Sequence, residues 1–247
     1  MKFNLNFNLK KNIMERNQMN EKNWREKAFI FGMIGVIIYV ILPLIAMVFY
    51  AGGTRVDPNA PGYTFWANWF SDLGRTKAYS GKDNTVSMII YIIALSVLGI
   101  SLIISAIAVP YFFRENSLEK WLSIIGTFFL IINGILLVGV AFLPWDIYFD
   151  EHVAFVNMSG NMVLIGGILY IIVAFHNKEF PNRYAYILIV MLAAGVITSV
   201  IWNLYGVWPP RTTEELMLFT AGQKINDYIS MAGVFYLNYV LWEQIKS

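Results

Sequence analysis

Asp72, Asp146 and His152 are the side chains of this sequence best suited to polar chemistry. Two carboxylates and an imidazole can bind a cation or relay a proton, and histidine alone titrates near neutral pH without a perturbed pKa. Ser71 stands beside Asp72, so a Ser71–His152–Asp hydrolytic arrangement can be drawn, as can a mixed Asp72–Asp146–His152 metal site. Both need these residues to meet in space. With two histidines in the whole chain a three-histidine zinc site is excluded, and the absence of cysteine excludes thiolate nucleophiles, thiolate metal sites and disulfides. No P-loop, His-Glu-x-x-His or Gly-x-Ser-x-Gly pattern occurs. No catalytic residue is therefore assigned, and no metal or cofactor is expected.

A second polar group lies near the end of the chain, where Gln223, Lys224 and Asp227 interrupt an apolar run. Gln223 and Asp227 share a helix face. A lysine and an aspartate inside a membrane are costly unless paired or wet, which makes them ligand-binding candidates; the alternative is a helix whose first two turns stand in water. Before Ser71 come Phe65, Trp66, Trp69 and Phe70, spaced i, i+1, i+4 and i+5. That spacing predicts a short helix at the lipid headgroups, with the rings as a lid over Asp72. The plainer reading of Ser71-Asp72-Leu73-Gly74 is a helix end, with Gly74 as C-cap and Ser71 or Asp72 bonded to local backbone. Asp150 and Glu151 have an equally plain role at the positive end of a helix.

The elements that must position these residues are set by composition. Of 247 residues 57% are hydrophobic and 14% charged, and the mean hydropathy is +0.56. The apolar residues form long runs rather than amphipathic stripes, which points to lipid as the solvent. Runs at 29–50, 87–109, 121–143, 153–175, 184–205 and 216–242 read as six transmembrane helices, since a span needs roughly 20 apolar residues. The expected fold is an all-α bundle of these six over 28–247, preceded by a polar, flexible tail at 1–27. Thr212-x-x-Glu215 reads as a capping box for the sixth helix. Asn133, mid-span, is expected to bridge helices, and Gly134, Gly166 and Gly167 to allow close helix contacts. Two-thirds of the 18 Lys and Arg fall on the side of the N-terminal tail, so both termini are expected in the cytoplasm. A net charge of +2 gives no reason to expect nucleic acid.

The segment Phe70-Ser71-Asp72-Leu73-Gly74, with Asn84 and Ser87 opening the next span, resembles a prokaryotic membrane family, domain-of-unknown-function family 998. Leu143-Pro144-Trp145-Asp146 followed by His152 is similar to that family as well. More distantly the chain resembles the Frag1/DRAM/Sfk1 proteins, whose first outer loop carries a related Ser-Asp-x-Gly. The resemblance implies a six-helix bundle in a prokaryotic cell membrane, and the distant one implies lipid as ligand. It supplies no reaction.

The sequence thus leads to a multi-pass membrane protein with a polar pocket on the extracytoplasmic side that binds or handles lipid. Ser71, Asp72, Asp146, His152, Gln223, Lys224 and Asp227 are its candidate ligand-binding residues. The alternative is an accessory subunit held by a protein partner in the membrane.

Overall fold

The computed structural model describes residues 2–206 and 208–246, with side chains described from Arg16 onward except Asn17. The described residues form six α-helices: α1 (Lys2–Phe49), α2 (Thr85–Ala108), α3 (Ser117–Ala141), α4 (Phe149–His176), α5 (Arg183–Tyr205) and α6 (Thr213–Lys246). Two 3-10 helices, Phe70–Gly74 and Val109–Phe113, complete the regular structure. No strand occurs among the described residues; Lys77 and Asp83 form an isolated bridge. Each long helix packs on its neighbours in sequence, and α6 closes the ring by packing on both α5 and α1.

Five segments are long and apolar enough to cross a membrane: Gln18–Phe49, Thr85–Phe113, Ser117–Ala141, Phe149–His176 and Arg183–Tyr205. The chain is accordingly a multi-pass membrane protein by the length and composition of its helices. α6 has 34 residues but carries Glu214, Glu215, Lys224, Asp227, Glu243 and Lys246, and falls outside that set. α1 starts well before its apolar run, so the polar lead-in from Lys2 is helical and continuous with the first candidate span. Outward faces are apolar: on α5, Ile189, Val190, Ile197, Val200 and Leu204 are all exposed, as expected where lipid replaces water.

Inside the ring, small residues and hydroxyls set the spacing. A Cβ on Gly99 would stand 2.6 Å from the carbonyl oxygen of Gly134, and one on Gly134 2.7 Å from that of Gly99, so α2 and α3 touch backbone to backbone there. Asn133 accepts from Ser159 Oγ at 2.6 Å, bridging α3 and α4. At the end of the bundle where α3 begins, buried Glu119 takes His176 Nδ1 at 2.7 Å and Asn177 Nδ2 at 2.6 Å, tying the start of α3 to the end of α4. The capping box of α6 is formed: Glu215 N donates to Thr212 Oγ1 at 3.2 Å, and Thr212 N to Glu215 Oε2 at 3.4 Å.

The connection 50–84 between α1 and α2 folds over the other end of the bundle. The aromatic helix expected at 63–70 is not formed. Residues 65–67 make a turn, and only Phe70–Gly74 is helical. Side chains of the segment compete for the amides: Asn68 Oδ1 accepts from Thr64 N at 2.9 Å and Asp72 Oδ2 from Trp69 N at 2.8 Å. Nor is Gly74 a left-handed cap, since its φ is not positive. A Cβ there would lie 2.8 Å from the ring of Tyr91, so close packing demands the glycine.

Candidate functional site

The polar face of α6 meets the backbone of this cap. Gln223 Oε1 accepts from Phe70 N at 3.0 Å. Thr220 Oγ1 donates to the carbonyl of Trp66, and Lys224 Nζ to the carbonyl of Asn68. An irregular segment has main-chain groups that no helix or sheet satisfies. The polar residues that interrupt the apolar run of α6 supply those partners, and this is why they are tolerated there.

Lys224 is fully buried. Its ammonium lies 5.6 Å from the ring centroid of Tyr63, 5.3 Å from Phe65 and 5.0 Å from Phe70, an aromatic enclosure that favours a cation. Asn68 joins it to Asp72. The Asn68 side-chain amide donates to Asp72 Oδ2 at 2.9 Å and to the carbonyl of Gly53 at 3.0 Å. Gly53 is required at its place: its φ is 85°, and a Cβ would stand 2.5 Å from Ser80 N. Asp72 Oδ1 is buried without a hydrogen-bond partner. Burial raises the Asp72 carboxyl, the bonds from Asn68 and Trp69 and the charges of Arg75 and Lys224 lower it, and the balance sits at about 6. Among the described residues no carboxylate forms a salt bridge with Lys224.

Beside this cluster lies a space of about 10 Å³ lined by Tyr39, Pro43, Phe70, Asp227, Tyr228 and others. It is about large enough for one water. Pro43 lies inside α1 and leaves the carbonyl of Tyr39 without its helical donor.

No family model, curated protein or solved structure matches the chain.

Asp72, Gln223, Lys224 and Asp227 come together around the cap, but Asp146 and His152 are placed elsewhere. Asp146 accepts from Thr76 N at 3.1 Å, Thr76 Oγ1 at 2.6 Å and Lys77 N at 3.1 Å, pinning the cap to the α3–α4 connection. Burial pushes its carboxyl up, and these bonds with the Arg75 charge outweigh that, leaving it lowered. His152 Nδ1 bonds to the carbonyl of Leu143 at 2.7 Å, holding the start of α4 against the end of α3. Ser71 is half-buried. No three His, Asp or Glu side chains gather as a metal site among the described residues, so the mixed Asp72–Asp146–His152 metal site is not assembled, and in place of the Ser71–His152–Asp arrangement the structure shows His152 Nδ1 bonded to the Leu143 carbonyl.

The aromatic residues divide. Phe65 and buried Phe70 face the Lys224 ammonium. Trp69 packs edge-on to Trp202 at 5.9 Å and against Phe219 at 6.0 Å. Trp66 alone is largely exposed, at 46%. Sequence reasoning missed Asn68, whose side chain bonds to the Thr64 amide, the Gly53 carbonyl and Asp72. Its four-residue spacing to Asp72 was the available signal. Asn84 and Ser87 bind the same motif: Asn84 Nδ2 donates to the carbonyls of Leu73 at 3.2 Å and Arg75 at 3.0 Å, and Ser87 Oγ to Leu73 at 3.1 Å.

Proposed function

We propose that the chain is a six-span, lipid-handling protein of a prokaryotic cell membrane, with both termini cytoplasmic and the 50–84 cap on the extracytoplasmic side. Under this reading α6 is the sixth span, its polar half covered by the cap rather than by lipid. The cap lifts from α6, and the phosphate of a lipid headgroup replaces the Asn68 carbonyl at Lys224. The distant resemblance to the Frag1/DRAM/Sfk1 proteins agrees with a lipid ligand.

One observation carries the reading: a fully buried ammonium whose cage is aromatic and whose bonded acceptor is a main-chain carbonyl. A buried ionisable side chain in a membrane protein is a functional-site candidate by default, and under this reading the ligand of Lys224 is an anion from outside the chain.

Phospholipid retained through purification, measured by mass spectrometry, tests the proposal. Lys224→Met keeps the apolar stem and should lose a phospholipid that the parent protein retains. Equal retention by a folded Lys224→Met protein overturns the reading. An accessory subunit is the second reading, favoured by α5. Only 17% of its apolar window is buried, and Asn203 is exposed on it with its amide turned back to Ser199. A stoichiometric protein partner after gentle purification supports that alternative.

A further inference from the structure

At the end of the bundle opposite the cap, a groove of about 440 Å³ lies between α1, the 3-10 helix Val109–Phe113 and the start of α3. Its polar wall is cationic. Arg25 and Arg114 both stack on the ring of Tyr111, with guanidinium carbons 3.1 and 4.1 Å from its centroid. Lys120 lines the groove too, exposed and with no ion pair among the described residues. The groove has one carboxylate, Glu21, and Arg114 already holds it at 3.4 Å. Two like-charged guanidiniums gathered on one ring, with a single exposed carboxylate between them, leave a surplus of positive charge.

Arg25 adds an independent observation. It is 94% buried, with a relative exposure of 6%. Its Nε donates to the carbonyl of Glu21 at 3.4 Å, while Nη1 is buried without any hydrogen-bond partner. An unsatisfied, charged donor inside a groove is costly unless a ligand completes it. The remaining walls are apolar and outward-facing: Trp24, Ile107 and Ile124 are exposed at 46, 48 and 38%. A tryptophan beside basic side chains at the end of a membrane span is the setting of lipid headgroups.

We propose that this groove binds the phosphate of an anionic phospholipid, with Arg25 and Arg114 as donors stacked on Tyr111 and Lys120 at the rim. The acyl chains run along Ile107 and Ile124. The site is separate from Lys224 and is served by the opposite leaflet, so either can fail without the other.

Native mass spectrometry of the full chain in detergent, titrated with phosphatidylglycerol or with phosphatidylcholine of the same acyl chains, tests it. Arg25 stays intact because its loss threatens folding; Arg114→Gln and Lys120→Gln alter exposed residues. Each should weaken phosphatidylglycerol binding about fivefold and the double variant about 25-fold, the scale of one basic residue at a lipid surface. Phosphatidylcholine binding should not change, and Lys77→Gln with Lys82→Gln at the cap end should leave both lipids unaffected. A double variant that holds phosphatidylglycerol as well as the parent overturns the proposal. If millimolar inorganic phosphate alone displaces the lipid completely, the groove is a free-phosphate site and the lipid assignment fails.

Discussion

The ammonium of Lys224 donates to the main-chain carbonyl of Asn68, 156 residues away in the chain. Through this contact the last helix holds the first connection. The Asn68 side chain passes the link on to Asp72 and Gly53, and Asp146 fixes the far side of the same cap. A cap of irregular backbone over a helix ring is thereby satisfied group by group, with few polar atoms left to lipid.

Loss of Asn68 should cost more than loss of Lys224. Asn68→Ala leaves the Thr64 amide and the Gly53 carbonyl without partners inside a buried site, about 1–3 kcal/mol for each orphaned group, and leaves Asp72 Oδ2 with the Trp69 amide alone. Lys224→Met leaves the Asn68 carbonyl its contact with the Tyr63 hydroxyl at 3.2 Å and also removes a buried charge, so its cost should stay at or below the lower end of that range. Thermal unfolding in detergent should rank parent, Lys224→Met and Asn68→Ala in falling order. The reverse order for the two variants means the ammonium, not the amide, holds the cap.

Asp72 and Asp146 should respond to pH with opposite signs. The Asp72 carboxyl sits at about 6 in the folded protein, above the ordinary aspartate value of 3.8. Folding therefore favours its protonated form; the stability it contributes is full below about 3.8 and is lost as pH rises toward 6. Asp146 is lowered, so its contribution is present above 3.8 and lost as pH falls below that value. Melting curves from pH 4 to pH 7 should show a decline that Asp72→Asn removes and Asp146→Asn leaves in place. A decline that survives in Asp72→Asn assigns it to another group.

The helices and their apolar runs were legible in the sequence because lipid imposes a simple rule of length and hydropathy. The capping box at Thr212 and the bridge from Asn133 were legible too, since each depends on local spacing or on one polar group in an apolar helix. The cap was not. Phe65, Trp66, Trp69 and Phe70 have helical spacing, but Asp72 takes the Trp69 amide that a helix would bond to the Phe65 carbonyl, and periodicity does not register that competition. Asp72 and Lys224 were recognisable as polar residues out of place, whereas their joining through Asn68 depends on how α6 meets a loop far away in sequence. His152 was singled out for its chemistry, and its bond to the Leu143 carbonyl is a local helix contact.

The contact between Gly99 and Gly134 should be intolerant of any side chain. Gly134→Ala puts a Cβ 2.5 Å from Ile103 Cγ1 and 2.7 Å from the Gly99 carbonyl oxygen. The side chain can turn away but the carbonyl cannot, so α2 and α3 must separate, at a cost of about 1–3 kcal/mol. Gly160→Ala, where a Cβ meets nothing within 4 Å, is the control and should melt with the parent. Equal melting of the two variants means that the α2–α3 spacing is not fixed by this contact.

The number of spans can be decided by where the two ends of the chain lie. Six crossings place both ends on one side, and five place them on opposite sides. The chain has no cysteine, so single cysteines can be read with a membrane-impermeant maleimide against no background. Lys22→Cys and Lys178→Cys should label only after the membrane is opened, and Asn59→Cys, exposed in the cap, should label in intact cells. Gln244→Cys, near the end of α6, carries the decision. Labelling only after permeabilisation gives six spans, with the charged face of α6 sheltered by the cap. Labelling in intact cells, with Lys22→Cys still protected, gives five and leaves α6 outside the hydrocarbon.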